Sequence, residues 1–113
     1  MEMTVVELAP GALCVALRGR MDTAGVDKVE TPFSAAVKGS AGDVAIDLGA
    51  VTFLASMGVR MIISAARDLR AKGRNLVLFG AQPLVQSTLE MVALDQIIPI
   101  LPDRAAAQAR LAG

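Results

Sequence analysis

The segment Phe53-Leu54-Ala55-Ser56-Met57-Gly58-Val59-Arg60 constrains the fold most, because a buried-strand pattern stops at a serine and an amphipathic helix begins at once. From Gly58 onward, Val59, Ile62, Ile63, Ala66 and Leu69 make one apolar stripe, while Arg60, Ser64, Arg67, Asp68 and Ala71 fall near the opposite face. Lys72-Gly73 supplies a basic residue and a glycine suited to ending that helix. Ser56 is predicted to be its N-cap, with the side-chain oxygen facing the free backbone N–H groups of the first turn. A phosphoryl group there would add about −1.5 to −2 charges beside those donors, changing the surface greatly and the fold little. Ser56 is therefore suited to a binding switch; a plain helix cap is the simpler role for the same residue.

The rest of the chain alternates in a compatible way. Met3–Leu8 and Ala12–Arg18 are apolar stretches separated by Ala9-Pro10-Gly11, which predicts an antiparallel hairpin. Val26, Val29, Phe33, Ala36 and Val37 then fall at helical spacing, with Asp22 or Thr23 as cap and Pro32 expected to kink or split the helix. Lys38–Gly42 reads as a loop. Asp43–Leu48 reads as an interior strand covered on both faces, continued by Val51–Leu54 toward the serine. After the Gly58 helix come a strand at Leu76–Phe79, a helix at Pro83–Val92, a short strand at Ile97–Ile100 and an alanine-rich helix at Asp103–Leu111. The order β-β-α-β-α-β-α-β-α predicts an α/β fold: a mixed β-sheet opening with an antiparallel hairpin, with helices packed against it by right-handed crossovers. At 113 residues the chain, 1–113, is expected to form a single domain.

Composition removes several functions. Eleven basic and eleven acidic residues cancel, and Phe33, Phe53 and Phe79 are the only aromatics, so neither a phosphate-backbone footprint nor a base-stacking platform stands out and no nucleic-acid partner is expected. Every apolar run is interrupted well before the roughly 18 to 20 residues that a bilayer span needs, and the amino terminus lacks the layout of a signal peptide. A cytoplasmic protein without direct membrane insertion is expected. Histidine is absent, which excludes a Ser-His-Asp triad and a His-based zinc site within the chain. The single Cys14 cannot form an intramolecular disulfide and reads as a small buried apolar residue. No phosphate-cradling or dinucleotide-binding glycine motif follows a strand. An enzyme, a metal site and a cofactor are all unexpected.

The element order and the serine segment together resemble the STAS domain family, in particular the bacterial anti-sigma factor antagonists. The resemblance is carried by Leu17-Arg18-Gly19-Arg20-Met21-Asp22, Ile46-Asp47-Leu48, Val51–Val59 and Ala71-Lys72-Gly73. It implies a STAS-like fold, reversible phosphorylation of Ser56, binding of an anti-sigma factor that is usually also the serine kinase, and reversal of the mark by a phosphatase of the metal-dependent class. Met21, Asp22, Ala55, Ser56, Met57, Gly58 and Arg60 are expected to form the partner-binding surface, on a monomer or weak dimer. The chain departs from the family pattern in carrying Ala55 where aspartate is usual, Met57 where a small residue is usual, and Arg20 where the loop is commonly acidic.

Other roles fit some of these residues. Asp22 serves equally as a helix cap, and Arg60, Arg67, Arg70, Lys72 and Arg74 read as a solvated helix face, with Arg60 placed to pair with an acidic partner residue or a phosphate. Ala55 and Met57 favour a second reading, in which the domain is a constitutive, non-phosphorylated subunit of a transport or sensory complex.

Overall fold

The structure, a computed structural model, describes residues 1–112. The apolar runs pair as β1 (Glu2–Ala9), β2 (Ala12–Met21), β3 (Val44–Leu54), β4 (Leu76–Phe79) and β5 (Ile100–Leu101). They form one five-stranded sheet in sequence order, β1 antiparallel to β2 and every other neighbouring pair parallel. Ala9 pairs with Ala12, so the hairpin closes through Pro10 and Gly11 alone.

The helices are α1 (Thr23–Lys38), α2 (Ser56–Ala71), α3 (Pro83–Met91) and α4 (Arg104–Ala112). Strand alternation divides their work. Val15, Leu17, Ile46, Leu48 and Leu78 point into the larger core, which they share with Val26, Val29 and Phe33 of α1, Ile62 and Leu69 of α2, and Val85 and Leu89 of α3. The intervening residues Cys14, Ala45, Val77 and Phe79 face the other way and meet Ala107 of α4 in a smaller cluster. Three helices thus cover one sheet face, while α4 alone lies on the other. Cys14 is fully buried there, as expected for a small apolar residue, and burial pushes its thiol pKa up.

Several elements differ from the sequence expectation. Pro32 neither splits nor ends α1, which runs unbroken for 16 residues. The proline is exposed, so the Lys28 carbonyl that loses a helical donor is left on a wet face. The two predicted pieces of β3 are one 11-residue strand. The expected strand at Ile97–Ile100 is displaced: a 3₁₀ turn at Leu94–Gln96 drives Leu94 and Ile98 into the core, and pairing starts only at Ile100. The buried face of α2 is Gly58, Met61, Ile62, Ala65 and Leu69, rotated from the predicted stripe, because Val59, Ile63 and Ala66 sit at its margin. Finally, two residues of the basic cluster also make structural contacts. Lys72 Nζ donates to the Lys38 carbonyl and Arg74 Nη1 donates to the Ser40 carbonyl at 2.6 Å, so both cations tie down the C-terminal end of α1.

Candidate functional site

The ends of β2 and β3 bring together the residues of interest. Met21 is the last residue of β2 and pairs with Leu54, the last of β3. One step on, the Ala55 N–H donates to the Met21 carbonyl at 3.0 Å, and the Ala55 carbonyl accepts from Val59 N–H at 3.1 Å to open α2. That cross-strand bond holds Ala55 extended, at φ −111° and ψ 178°, and makes it the N-cap. Ser56 is therefore the first helical residue rather than the cap predicted from its side chain, and no side-chain hydrogen bond caps this helix. The shift by one residue leaves the Ser56 hydroxyl free. A capping hydroxyl would be occupied by the backbone, whereas Ser56 is exposed at a helix start whose N–H groups remain open to an anion.

Asp22 sits beside it as the N-cap of α1. Its Oδ1 accepts from Gly25 N–H at 2.8 Å and its Oδ2 accepts from Arg20 Nε at 3.2 Å. The Gly25 N–H bond first, and the Arg20 guanidinium second, hold the Asp22 carboxyl below its ordinary pKa. Because the folded-state pKa is lowered, the cap contributes fully above the ordinary carboxylate value and its contribution is lost as pH falls through the folded-state value. Urea midpoints measured from about pH 6 to pH 2 are expected to show wild type and Asp22→Ala converging in acid. Asp22→Asn, which can still accept from Gly25, is expected to lie nearer wild type at neutral pH and to lack this acid-dependent loss.

The remaining site residues divide by exposure. Arg60 is exposed one turn beyond Ser56 and joins no ion pair among the described residues, while Ala55 and Met57 are half-buried at the edge. Met21 and Gly58 lie inside. Met21 is completely buried, and a Cβ added at Gly58 would stand 2.7 Å from Leu54 Cδ1 and 3.0 Å from Met21 Cβ. The glycine thus serves the approach of α2 to its own sheet, and both residues lie beneath the rim. Between α1 and α2 a groove of about 260 Å³ runs away from the rim, floored by Phe33 and Met61 and flanked by Met57 and Arg60.

Arg20 and Phe53 are features the sequence reading passed over as site residues. They are cross-strand partners, and the guanidinium carbon of Arg20 stands 4.4 Å from the Phe53 ring centroid. Their separation in sequence left only strand register to reveal the contact. Among the described residues there is no cluster of His, Cys, Asp and Glu able to hold a metal ion, and no helix long and apolar enough to cross a membrane.

Comparison with known proteins agrees with this architecture. A Bordetella bronchiseptica protein, BtrV, itself described as a candidate anti-sigma factor antagonist, is 30% identical over 99 residues, covering 88% of this chain and 85% of the relative. A crystal structure of an anti-sigma factor antagonist from Mycobacterium paratuberculosis superposes with a TM-score of 0.91 at 23% identity, covering 99% of this chain and 94% of the other. The Bacillus cell fate determinant SpoIIAA in its phosphorylated form superposes with a TM-score of 0.71 at 16% identity, covering 96% and 98% of the two chains. The STAS domain profile matches residues 3–107, almost the full length, and the chain therefore belongs to the STAS domain family.

Proposed function

We propose that this protein is an anti-sigma factor antagonist that docks on an anti-sigma factor through the rim around Ser56, and that phosphorylation of Ser56 turns the docking off. The observation that carries this reading is the position of Ser56: exposed, uncommitted as a cap, and first in a 16-residue helix. A phosphate there meets open N–H donors and the positive end of the helix dipole, so the fold tolerates it. In a complex the same group would have to be desolvated or would face acidic partner groups, so affinity falls without refolding. The likeness to BtrV and to a SpoIIAA structure determined in its phosphorylated form supports both halves of the reading. In this scheme the anti-sigma factor is also the serine kinase, and a separate phosphatase restores the binding form.

Ala55 favours a second reading, because no carboxylate precedes Ser56 to orient its hydroxyl for a kinase. The domain would then be a constitutive subunit of a transport or sensory assembly. Titration of the anti-sigma factors encoded in the same genome with wild type, Ser56→Ala and Ser56→Asp separates the two. Switching predicts near-wild-type affinity for Ser56→Ala and a loss of about tenfold or more for Ser56→Asp. Equal affinity for all of them rejects the switch.

A further inference from the structure

Arg20 is an exposed side chain held as if it were buried. Its side chain is 61% accessible, yet its Nε is bonded to Asp22 Oδ2 at 3.2 Å and its guanidinium carbon lies 4.4 Å from the centroid of the Phe53 ring. The backbone contributes as well: the β2–β3 register shifts between Gly19 and Arg20, an irregularity of the kind that re-aims a side chain at a strand end. A long side chain fixed on all these sides has already given up the rotamer freedom that binding would otherwise cost.

Stability accounts for only a small part of this arrangement. An exposed ion pair of this type contributes little to folding, and the α1 cap is made by Asp22 Oδ1, not by the oxygen that meets Arg20. What the arrangement leaves is a planar fork. Nε is spent on Asp22, the ring covers one face, and the terminal Nη1 and Nη2 groups have no hydrogen-bond acceptor among the described residues. Two parallel N–H groups at that spacing match the two oxygens of a carboxylate. Arg20 and Phe53 pair one step before Met21 and Leu54, the strand ends from which α1 and α2 depart, and Arg20 bonds the α1 cap Asp22, which places the fork at the rim assigned above to docking.

We infer that Arg20 is a specificity-determining residue that accepts an aspartate or glutamate side chain from an acidic docking segment of the partner, and this rests on the docking reading proposed above.

The test uses the anti-sigma factor that binds the wild-type protein, titrated with Arg20→Gln, Arg20→Lys and Arg20→Glu, each checked for an unchanged urea midpoint. Arg20→Glu is expected to weaken binding about tenfold to a hundredfold, Arg20→Gln less, and Arg20→Lys partly, because a point charge replaces the fork. Wild-type affinity should fall with added salt, and that dependence should flatten or reverse in Arg20→Glu. An Asp→Arg or Glu→Arg change on the partner should restore binding to Arg20→Glu. Wild-type affinity and salt dependence in Arg20→Glu, with Ser56→Asp still defective, would overturn this inference and leave the docking reading standing. Failure of any anti-sigma factor to bind the wild type would overturn both.

Discussion

Gly25→Ala is expected to destabilise the protein by about 1 to 3 kcal/mol, although alanine is the better helix former. A Cβ at this position would lie 1.9 Å from the Arg20 carbonyl oxygen, 3.1 Å from the Arg20 carbonyl carbon and 3.3 Å from Asp22 Oδ1. The obstacle is backbone, so no rotamer change relieves it, and α1 must back away from the end of β2. That movement stretches the Gly25 N–H bond to Asp22 Oδ1, so the cap weakens together with the packing. Urea unfolding monitored by circular dichroism measures the loss, with Ala24→Gly at the exposed neighbouring position as a control for propensity alone, about 0.5 to 1 kcal/mol. A Gly25→Ala protein as stable as wild type would show that the approach of α1 to β2 is looser than described.

Met21→Ala is expected to cost about 2 to 5 kcal/mol, a large share of the roughly 5 to 15 kcal/mol that typically holds a domain folded. Met21 is completely buried, packed in the core shared by β3, α1 and α2, and its side chain contacts the space that Gly58 leaves open. Truncation removes apolar contacts and leaves a cavity beneath the rim. Met21→Leu, close to volume-conserving, should cost less than about 1.5 kcal/mol. These values separate a structural role from direct partner contact. If Met21 supports the rim from inside, the folded fraction of Met21→Leu retains wild-type affinity for the partner. A marked affinity loss in a fully folded Met21→Leu protein would return this residue to the contact surface.

The order of strands and helices was legible because period-2 and helical patterns alternate cleanly and turn residues separate them. The hairpin followed from Pro10-Gly11, and the burial of Cys14 from its place in an alternating strand. The details that failed share one cause: each is decided by a contact between segments distant in sequence. Serine is a better cap than alanine, so local preference selects Ser56, but the bond from Ala55 N–H to the Met21 carbonyl fixes the helix start one residue earlier. Periodicity identified α2 as an amphipathic helix, yet packing against α1 and the sheet selected Met61 and Ala65 over Val59 and Ile63 as buried residues. The solvent-exposed face of α1 made Pro32 tolerable, which composition alone does not reveal. At the rim, the exposed placement of Ser56 and Arg60 and the capping role of Asp22 were legible from their polar character near element starts. Met21 and Gly58 lie beneath the rim, a placement not legible in the sequence because neither periodicity nor residue type distinguishes a residue beside a surface from one that builds it.

The Arg20–Phe53 pair illustrates the same limit from the other direction. Its members are ordinary in sequence, and only the parallel register of β2 and β3 sets them opposite one another. That register, the cap at Asp22 and the start of α2 at Ser56 are parts of one construction, in which two strand ends are stitched together by a backbone hydrogen bond and a helix departs from each.

In the proposed switch, modification of Ser56 changes what the rim can bind while leaving the domain folded. The most direct measurement is the affinity of protein fully phosphorylated at Ser56 for the anti-sigma factor bound by the unmodified form, with the urea midpoint taken on the same sample. The account predicts binding weaker by about tenfold or more and stability within about 1 kcal/mol of the unmodified protein. Undiminished affinity after phosphorylation, or a loss of affinity that is matched by loss of the folded state, would contradict it.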